Sequence, residues 1–219
     1  MHVSAIIPAF NEEGWVGKTV EALKEIPDIF EVIVVDDGST DKTAFEAWNA
    51  GATVCRSSFN QGKSQALRDG TRIARGDIFA FVDADLKESA LEIKTLISAI
   101  GRDEGDMIIA SIESSQKAGL GLVKSLAYWG IRYHTGKKMS TPLSGQRVLK
   151  RSMWESLNFQ SEGFASEVAL TIESIKKGYR VKEIPVMISH RFRGNDYKSL
   201  FHRGNQFFSV LKLLLQNSI

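Results

Sequence analysis

Residues 79–86 read FAFVDADL, an apolar run that stops abruptly at two aspartates one residue apart. The run has the composition of a fully buried strand, so we expect Asp83 and Asp85 to come directly after a buried segment. Like charges held close together repel, and burial raises the cost of ionising them. We therefore expect a compensating positive charge beside this pair, and a divalent metal ion is the obvious candidate.

Short β-branched runs alternate with helical patterns on both sides of this stretch. We expect strands over residues 3–7, 31–35, 52–56, 78–82 and 107–110. We expect helices between them over residues 13–26, 42–49 (behind a cap at 39–41), 63–74 and 88–100. Such a strand–helix rhythm is typical of parallel sheets. The sequence therefore predicts an α/β fold with a single doubly wound, mostly parallel sheet flanked by helices.

The rhythm loosens in the second half of the chain, where residues 111–121 are polar and predict a loop. Beyond it we expect helices over residues 122–134, 164–177 and 199–215, and strands over residues 143–149 and 180–187. No repeat, low-complexity segment or clear linker divides the sequence. We expect one domain over residues 1–219, with two functional halves at 1–110 and 111–219.

The composition is that of an ordinary globular protein, with 43% hydrophobic and 25% charged residues among 219. The formal charge of +2 is too small to indicate a nucleic-acid partner. The single cysteine, Cys55, excludes an internal disulfide and fits a reducing compartment. The apolar stretch before Pro8 lacks a basic preamble, so we expect no signal peptide and a cytoplasmic location.

Four polar clusters follow the first four predicted strands, at residues 8–13, 36–41, 60–63 and 83–85. Each alone is readily explained by turn formation and helix capping, which Asp, Asn, Gly and Ser perform routinely. The carboxyl ends of parallel strands meet at one edge of a sheet, where open α/β sheets bind ligands. Four clusters at that edge favour a ligand site.

The charged residues of these clusters have two chemical uses. One carboxylate pair, Asp36 with Asp37, can accept hydrogen bonds from a nucleobase edge or from ribose hydroxyls; the other pair is Asp83 with Asp85, on alternate positions. The other pair can present oxygens to Mg²⁺ or Mn²⁺, because hard cations prefer oxygen ligands and Mg²⁺ is usually shared with a diphosphate. Lys63 stands at a predicted helix start, where an anion such as a phosphate is favoured. The alternative is that Lys63 is simply a solvated lysine in the first turn of the helix.

Four segments carry a family resemblance: IIPAFNEE (6–13), VIVVDDGSTDKT (32–43), NQGKSQALRDG (60–70) and FVDADL (81–86). In this order and spacing they resemble the nucleotide-sugar half of family-2 glycosyltransferases, which have the GT-A fold. The resemblance implies a nucleotide-sugar donor, Mg²⁺ or Mn²⁺ as cofactor, and transfer of the sugar to an acceptor. We accordingly assign residues 1–110 to the donor half and residues 111–219 to the acceptor half.

Matching the motifs residue by residue implies roles on the donor side. The base and ribose would be held by Pro8, Ala9, Phe10, Glu12 and Asp37. Asp83 would lie near the ribose and within the metal shell, and Asp85 would be the catalytic residue that binds the metal through the donor diphosphate. Lys63 would contact the phosphates.

Two later segments, TPLSGQRVLKRSMWESL (141–157) and GFASEVALTIESIKKGYRVKEIPVMISHR (163–191), resemble polyprenyl-phosphate glycosyltransferases and glucosyl-3-phosphoglycerate synthases. Glu167 falls where both groups place an acidic residue near the acceptor, although it also opens a predicted helix, where a cap-region role is the alternative. His190, beside Arg191, matches a histidine that completes the metal shell in the phosphoglycerate-type enzymes. A solvated loop histidine is the alternative.

The acceptor is expected to bear a phosphate, with polyprenyl phosphate as the first choice and a soluble phosphoglycerate-type hydroxyl acceptor as the alternative. An anionic phosphate needs no base, whereas a hydroxyl attacking with inversion would need one, for which Glu167 is the candidate. The candidate partners of an acceptor phosphate or carboxylate are Arg147, Arg191, Arg193 and Lys198. Lys87 departs from the polyprenyl-phosphate enzymes, which generally have glutamine there.

Two rival classes are disfavoured by the same residues. A sugar nucleotidyltransferase should carry a glycine-rich, basic loop after the first strand, which PAFNEEG (8–14) does not supply. A non-catalytic binding module needs no carboxylate pair.

Residues 199–215 combine apolar side chains at helical spacing with basic ones. This pattern predicts a helix that packs on the domain or forms a homodimer, or one that contacts a membrane near a lipid-linked phosphate.

Overall fold

Seven strands and seven α-helices make up residues 1–112, 121–157 and 165–189, the parts of the chain that the computed structural model describes. The strands are β1 Val3–Ala9, β2 Ile29–Asp36, β3 Thr53–Arg56, β4 Ile78–Phe81, β5 Met107–Ile112, β6 Arg147–Lys150 and β7 Val181–Val186. The helices are α1 Val16–Lys24, α2 Thr43–Asn49, α3 Lys63–Ile73, α4 Ile93–Gly101, α5 Gly121–Thr135, α6 Arg151–Ser156 and α7 Ala165–Lys176, and a 3₁₀ helix, Lys87–Glu92, precedes α4. Strands and helices alternate as far as β5, as the sequence predicts.

Within these ranges the strands form one sheet in the order β3-β2-β1-β4-β6-β5-β7. β1 pairs in parallel with β2 and β4, β2 pairs in parallel with β3, and β5 pairs in parallel with β7. The predicted mostly parallel α/β sheet is therefore confirmed. β6 is antiparallel to both neighbours, with Arg147 opposite Phe81 of β4. This reversal brings the residues before β6 to the edge where β4 ends.

Apolar side chains cover both faces of the sheet. Successive side chains of a strand point to opposite sides, so Ala5 and Ile7 join one cluster with Leu23 of α1, whereas Ile6 joins the other. Gly70 lets α3 lie close against the second face, because an added Cβ would come within 2.5 Å of Ile6 Cγ2. Burial on both sides explains why the parallel strands read as continuous apolar runs.

Some element boundaries differ from those predicted. β6 begins at Arg147 rather than at residue 143, because the amide of Ser144 donates to the carbonyl of Thr141 in a turn. α6 follows β6 at once and was not predicted, because its six residues are too few for a helical period to be recognised. The first part of the helix predicted over 88–100 is a 3₁₀ helix.

Several predictions fall outside the described residues. They concern the centre of the loop after β5 (113–120), the helix predicted over 199–215 and four candidate ligand-binding side chains, His190, Arg191, Arg193 and Lys198. All of these stay predictions. Along the described ranges, no helix combines the length and the apolar character needed to cross a bilayer.

An ion-pair network fastens the edge of the sheet opposite the carboxyl ends. Asp106, just before β5, accepts a hydrogen bond from Lys150 Nζ (2.8 Å) and another from the Arg180 amide (2.9 Å). Burial alone would raise the pKa of Asp106, but hydrogen bonds from Arg180 and Lys150 outweigh it and hold the pKa well below its ordinary value. The network therefore ties β5, β6 and β7 together at one end.

Replacing Asp106 with asparagine should weaken the fold in a pH-dependent way. Because the folded-state pKa lies below the unfolded value of about 3.9, the carboxylate stabilises the fold above that pH and loses its contribution as the pH falls. We expect a loss of about 1–3 kcal/mol at pH 7, typical of hydrogen bonds to a charged group. Urea unfolding across the acid range measures it. A loss that stays constant into strong acid, or an equal loss in Asp77→Asn, whose carboxylate is 75% exposed, would contradict this account.

Candidate functional site

Several loops gather at the carboxyl edge of the sheet, as the parallel order of β1 to β4 requires. The loops after these four strands span residues 10–15, 37–42, 57–62 and 82–86. The reversed β6 adds residues 144–146 to the same edge, since its first residue pairs with the last residue of β4. Most of the described candidate site residues lie on or beside these segments.

The loop after β1 is fixed through its backbone. The amide of Asn11 donates to Ser39 Oγ (2.9 Å), and the amide of Glu12 donates to Thr43 Oγ1 (2.8 Å). Asn11 adopts a left-handed φ of 55°, and its side-chain oxygen accepts a bond from the Thr40 amide (3.0 Å). The loops after β1 and β2 therefore hold each other in place.

The side chains predicted to hold a base and ribose differ in exposure. Ala9 and Glu12 are buried, Pro8 is half-buried, and Phe10 is 43% exposed. An exposed aromatic ring provides a face on which a nucleobase can stack. Phe10 is thus the member of this set that the structure leaves open to a ligand's base.

Asp36 and Asp37 fix loops in this structure. Asp36 is fully buried, and one of its oxygens lies 3.1 Å from Arg56 Nε. Asp37 accepts the amides of Gln61 (2.8 Å) and Gly62 (2.7 Å) with its two oxygens. Asp37 thereby positions the start of α3, and its ribose-binding role stays a prediction.

A lysine between two carboxylates forms the centre of the site. Lys63, the first residue of α3, places Nζ 2.7 Å from Asp83 Oδ1 and 3.3 Å from Glu167 Oε1. Desolvation lowers the pKa of Lys63, but the charges of Asp83 and Glu167 outweigh it and raise the pKa above its ordinary value. Lys63 is therefore held as a cation. It supplies, from the chain itself, the positive charge expected beside Asp83.

Two residues of this cluster were missed by sequence reasoning. Gln146 Nε2 donates to Asp83 Oδ2 (2.6 Å), so both oxygens of Asp83 have partners. Gly145 leaves room for the ion pair, because a Cβ there would lie 2.5 Å from Lys63 Nζ. Both residues precede β6, and the reversal of that strand brings them to Asp83. The available signal was SGQ inside the strand predicted over residues 143–149, which turn formation explains equally well.

Arg147 is buried beside this cluster. Its guanidinium donates to the carbonyl of Ser144 (2.9 Å) and to the hydroxyl of Thr171 (2.9 Å). Desolvation lowers its pKa to about 10, although Glu167 and Glu183 favour the charged form. The guanidinium faces its own chain rather than open solvent, so its binding of an acceptor phosphate stays a prediction.

A pocket lies against the ion-paired cluster. Its lining combines charged, polar and apolar groups, from Lys63, Gly145, Arg147, Ser166, Glu167, Leu67, Phe81, Trp154 and Leu170. Trp154 packs edge-on against Phe81, with ring centroids 5.2 Å apart. A concave place where a few polar groups meet apolar side chains is the usual setting of a small-molecule site.

The turn that carries Asp85 is held by α1. Thr19 Oγ1 donates to the carbonyl of Ala84 (2.8 Å) and accepts the amide of Lys87 (2.8 Å). Lys87 adopts a left-handed φ of 50° and lies over Trp15, with Nζ 3.6 Å from the ring centroid. The turn is thus firmly placed, and Asp85 on it is partly exposed.

The donor set of this edge fits a hard cation. Asp85 offers carboxylate oxygens, and Mg²⁺ usually needs only a carboxylate or two beside substrate phosphates. No group of three or more His, Cys, Asp or Glu residues suited to a metal occurs in the described part of the chain. Ser189, the residue before His190, has its amide 3.3 Å from Ser89 Oγ, close in sequence to Asp85. The carboxylate of Asp85 therefore suits a metal ion that is shared with a ligand's phosphates.

Known proteins resemble this chain over most of its length. The family described as glycosyl transferase family 2 matches residues 4–155. An uncharacterised protein of Methanocaldococcus jannaschii is 28% identical over 195 residues, covering 84% of this chain and 80% of that protein. Dodecaprenyl-phosphate galacturonate synthase of Rhizobium johnstonii is 32% identical over 147 residues, which cover 63% of this chain. The match spans 43% of that synthase, less than half of its length.

A solved structure extends the likeness past residue 155. It is glucosyl-3-phosphoglycerate synthase from Mycobacterium tuberculosis in complex with Mn²⁺, uridine-diphosphate and phosphoglyceric acid. The TM-score is 0.83 at 25% sequence identity, and the match covers 99% of this chain and 78% of that one. The fold is therefore shared across both halves of the sheet.

Proposed function

Because this chain belongs to glycosyl transferase family 2, we propose that it moves a sugar from a nucleoside-diphosphate sugar to a phosphate-bearing acceptor, with Mg²⁺ or Mn²⁺ as cofactor. The observation that carries the proposal is the ion-paired cluster of Lys63, Asp83 and Glu167 at the carboxyl edge of its GT-A fold. The turn bearing Asp85 follows Asp83 directly. A cation held among carboxylates, next to a candidate metal ligand, suits a ligand that carries both phosphate and sugar hydroxyls.

The donor's base and ribose would lie at the loops after β1 and β2. Phe10 offers an exposed ring to the base, and the loops brace each other through their hydrogen bonds. Pro8, Ala9, Glu12 and Asp37 would shape and support this place. A preformed site lowers the ordering cost of binding. Donors of the UDP-glucose and GDP-mannose types both fit the proposal.

The donor diphosphate would be bound through the metal. Asp85 and His190 would hold the ion, and the contact of Ser189 with Ser89 supports His190, because it brings the preceding residue beside the 3₁₀ helix that follows Asp85. When bound, the metal supplies positive charge that stabilises the departing diphosphate. Asp83 would lie near the ribose and within the metal shell, with its two oxygens oriented by Lys63 and Gln146.

Lys63 would add a fixed positive charge where the diphosphate leaves, the kind of preorganised stabilisation that contributes most to catalysis. The bond from the anomeric carbon to the diphosphate oxygen breaks, and its electrons stay on that oxygen. An acceptor oxygen forms the new bond to the same carbon. A phosphate acceptor is already anionic and needs no base, whereas a hydroxyl acceptor would pass its proton to Glu167.

Polyprenyl phosphate is the acceptor we propose. The R. johnstonii relative is named as a synthase of dodecaprenyl-phosphate galacturonate, a sugar joined to a polyprenyl phosphate. The residues that would pair with the acceptor phosphate are Arg147, Arg191, Arg193 and Lys198. A lipid-linked acceptor would bring the enzyme to a membrane surface. A soluble phosphoglycerate-type acceptor is the second candidate, favoured by the likeness to the solved synthase.

A thermal-shift panel of UDP- and GDP-sugars, each with Mn²⁺ or with EDTA, tests the donor side of this proposal. A cognate donor at 100 times its Kd should add about 2.7 kcal/mol to the free energy of unfolding. We expect this stabilisation with Mn²⁺ and its loss with EDTA. Stabilisation by none of the nucleotide sugars, or equal stabilisation in EDTA, would contradict the proposal.

A further inference from the structure

An exposed apolar stripe runs along α5. Leu122 is 79% exposed, Trp129 60% and Tyr133 80%. Their spacing of seven and four residues puts them on one side of the helix, because a helix repeats every 3.6 residues. Large side chains exposed together in this way mark interaction surfaces more often than single exposed residues do.

The opposite side of α5 is already used for packing. Val123, Ala127 and Ile131 are buried in the core cluster that also contains Val168 and Leu170 of α7. The helix therefore does not need its exposed stripe to attach to the domain. The stripe is available to a partner outside the described part of the chain.

The charge around the stripe has one sign. From residue 121 to residue 140, over α5 and the turn after it, the sequence has four Lys and Arg residues and no Asp or Glu. Lys124, Arg132, Lys137 and Lys138 are exposed, and the Arg132 guanidinium lies 5.4 Å from the centre of the Trp129 ring. The net charge of +2 therefore conceals a basic, aromatic surface formed by α5 and the turn that follows it.

This surface adjoins the candidate active site. Five residues after α5 ends, Ser140 Oγ lies 3.1 Å from Ser111 Oγ near the carboxyl end of β5. The C-terminal end of α5 is thus tethered to the edge of the sheet that bears Lys63 and Asp83. α5 also packs against α7, whose first turn carries Glu167.

We propose that α5 and the turn after it are the surface by which this protein binds an anionic lipid bilayer, with Leu122, Trp129 and Tyr133 in the interface and Arg132, Lys137 and Lys138 against lipid phosphates. Amphipathic helices that combine aromatic and basic residues bind in this way, and anionic leaflets attract clustered basic residues. A second copy of this chain is disfavoured, because a two-fold contact would press two basic surfaces together. The inference deepens the proposed function, since it rests on a lipid-linked acceptor.

Vesicle co-sedimentation tests the proposal with the full chain. Binding to phosphatidylglycerol–phosphatidylcholine vesicles should be strong at low salt, weaker at high salt and absent with pure phosphatidylcholine. Trp129→Ser/Tyr133→Ser should bind about tenfold or more weakly, because two apolar side chains no longer leave water. The matched control is Phe45→Ser/Trp48→Ser, which alters two aromatics of similar exposure on α2 and should bind as the wild type does.

Fluorescence distinguishes α5 from other contacts. Brominated lipids should quench Trp129, so quenching should be lost in Trp129→Phe and kept in Trp48→Phe. Unchanged vesicle binding in the α5 double variant would overturn the proposal. The proposal would also be overturned if the wild type did not bind vesicles but formed a dimer that the α5 double variant disrupts. Turnover of a short-chain, water-soluble polyprenyl phosphate, measured in parallel, should be unchanged in the α5 variant. If the wild type does not turn it over, the polyprenyl-phosphate acceptor of the proposed function is refuted, and the vesicle result stands apart from it.

Discussion

Asp85→Ala should abolish sugar transfer while leaving the protein folded. Asp85 is partly exposed on a turn that α1 holds in place, so its removal leaves no cavity in the core. A metal at a leaving group contributes several kcal/mol of transition-state stabilisation. We therefore expect turnover to fall by about 10³-fold or more, and donor binding to lose its dependence on Mn²⁺. Steady-state kinetics and a Mn²⁺ titration of donor binding measure both effects.

Asp77→Ala is the matched control for Asp85→Ala. Asp77 precedes the same strand at its other end, is exposed, and lies 3.9 Å from His2. This variant should keep wild-type turnover and its metal dependence. His190→Ala should weaken Mn²⁺ binding and turnover together if His190 completes the shell. An Asp85→Ala enzyme that still turns over with an intact metal response would rule out the metal site proposed here.

Lys63→Met should reduce kcat/KM by about 10²–10³-fold, as the loss of one preorganised charge or donor at a reacting centre does. It should also lower the free energy of unfolding at pH 7 by about 1–3 kcal/mol, less than for a fully buried pair because the side chain is one-third exposed. Without the lysine, the negative charges of Asp83 and Glu167 repel each other with no cation between them. Urea unfolding and steady-state kinetics test the two effects separately.

The stability loss in Lys63→Met should depend on pH in a defined direction. Despite desolvation, the charges of Asp83 and Glu167 raise the folded-state pKa of Lys63 above its ordinary value, so the cation stabilises the fold fully below its unfolded pKa of about 10.4. The deficit of the variant should therefore stay constant near neutral pH and shrink as the pH rises well above about 10, where the wild type loses this contribution. Lys182→Met removes a lysine that pairs with Glu104 at the same 2.7 Å, near the opposite edge of the sheet, and should leave kcat/KM unchanged. An equal kinetic effect in both variants would contradict the role assigned to Lys63.

The sequence predicted those features of the site that depend on local pattern. Each of the first four strands is an apolar run ended by a polar cluster, and parallel strands necessarily bring such clusters to one edge. The need for a positive charge beside Asp83 also follows from local sequence, since adjacent carboxylates are costly without one. Lys63 was recognised as a candidate because it opens a helix directly after a glycine. Its pairing with Asp83, twenty residues away in sequence, required the fold.

What sequence reasoning missed depends on chain reversal. The apolar pattern of β6 carries no information about strand direction, so nothing local placed Gln146 and Gly145 against Asp83. Asp37 has a structural role that the sequence did not reveal. Its two oxygens accept the amides of Gln61 and Gly62 in a loop that is distant in sequence, and its predicted ribose-binding role stays a prediction. Long-range hydrogen bonds of this kind have no periodic signature.

Product analysis by mass spectrometry tests the central claim most directly. The wild-type chain would be incubated with a panel of UDP- and GDP-sugars, Mn²⁺ and either short-chain polyprenyl phosphate or 3-phosphoglycerate. The account predicts that one donor yields a glycosylated acceptor and an equal amount of free nucleoside diphosphate, that EDTA stops both, and that Asp85→Ala forms neither. Glycosylated product that accumulates equally in EDTA, or no product from any donor with either acceptor while Mn²⁺ is present, would contradict it.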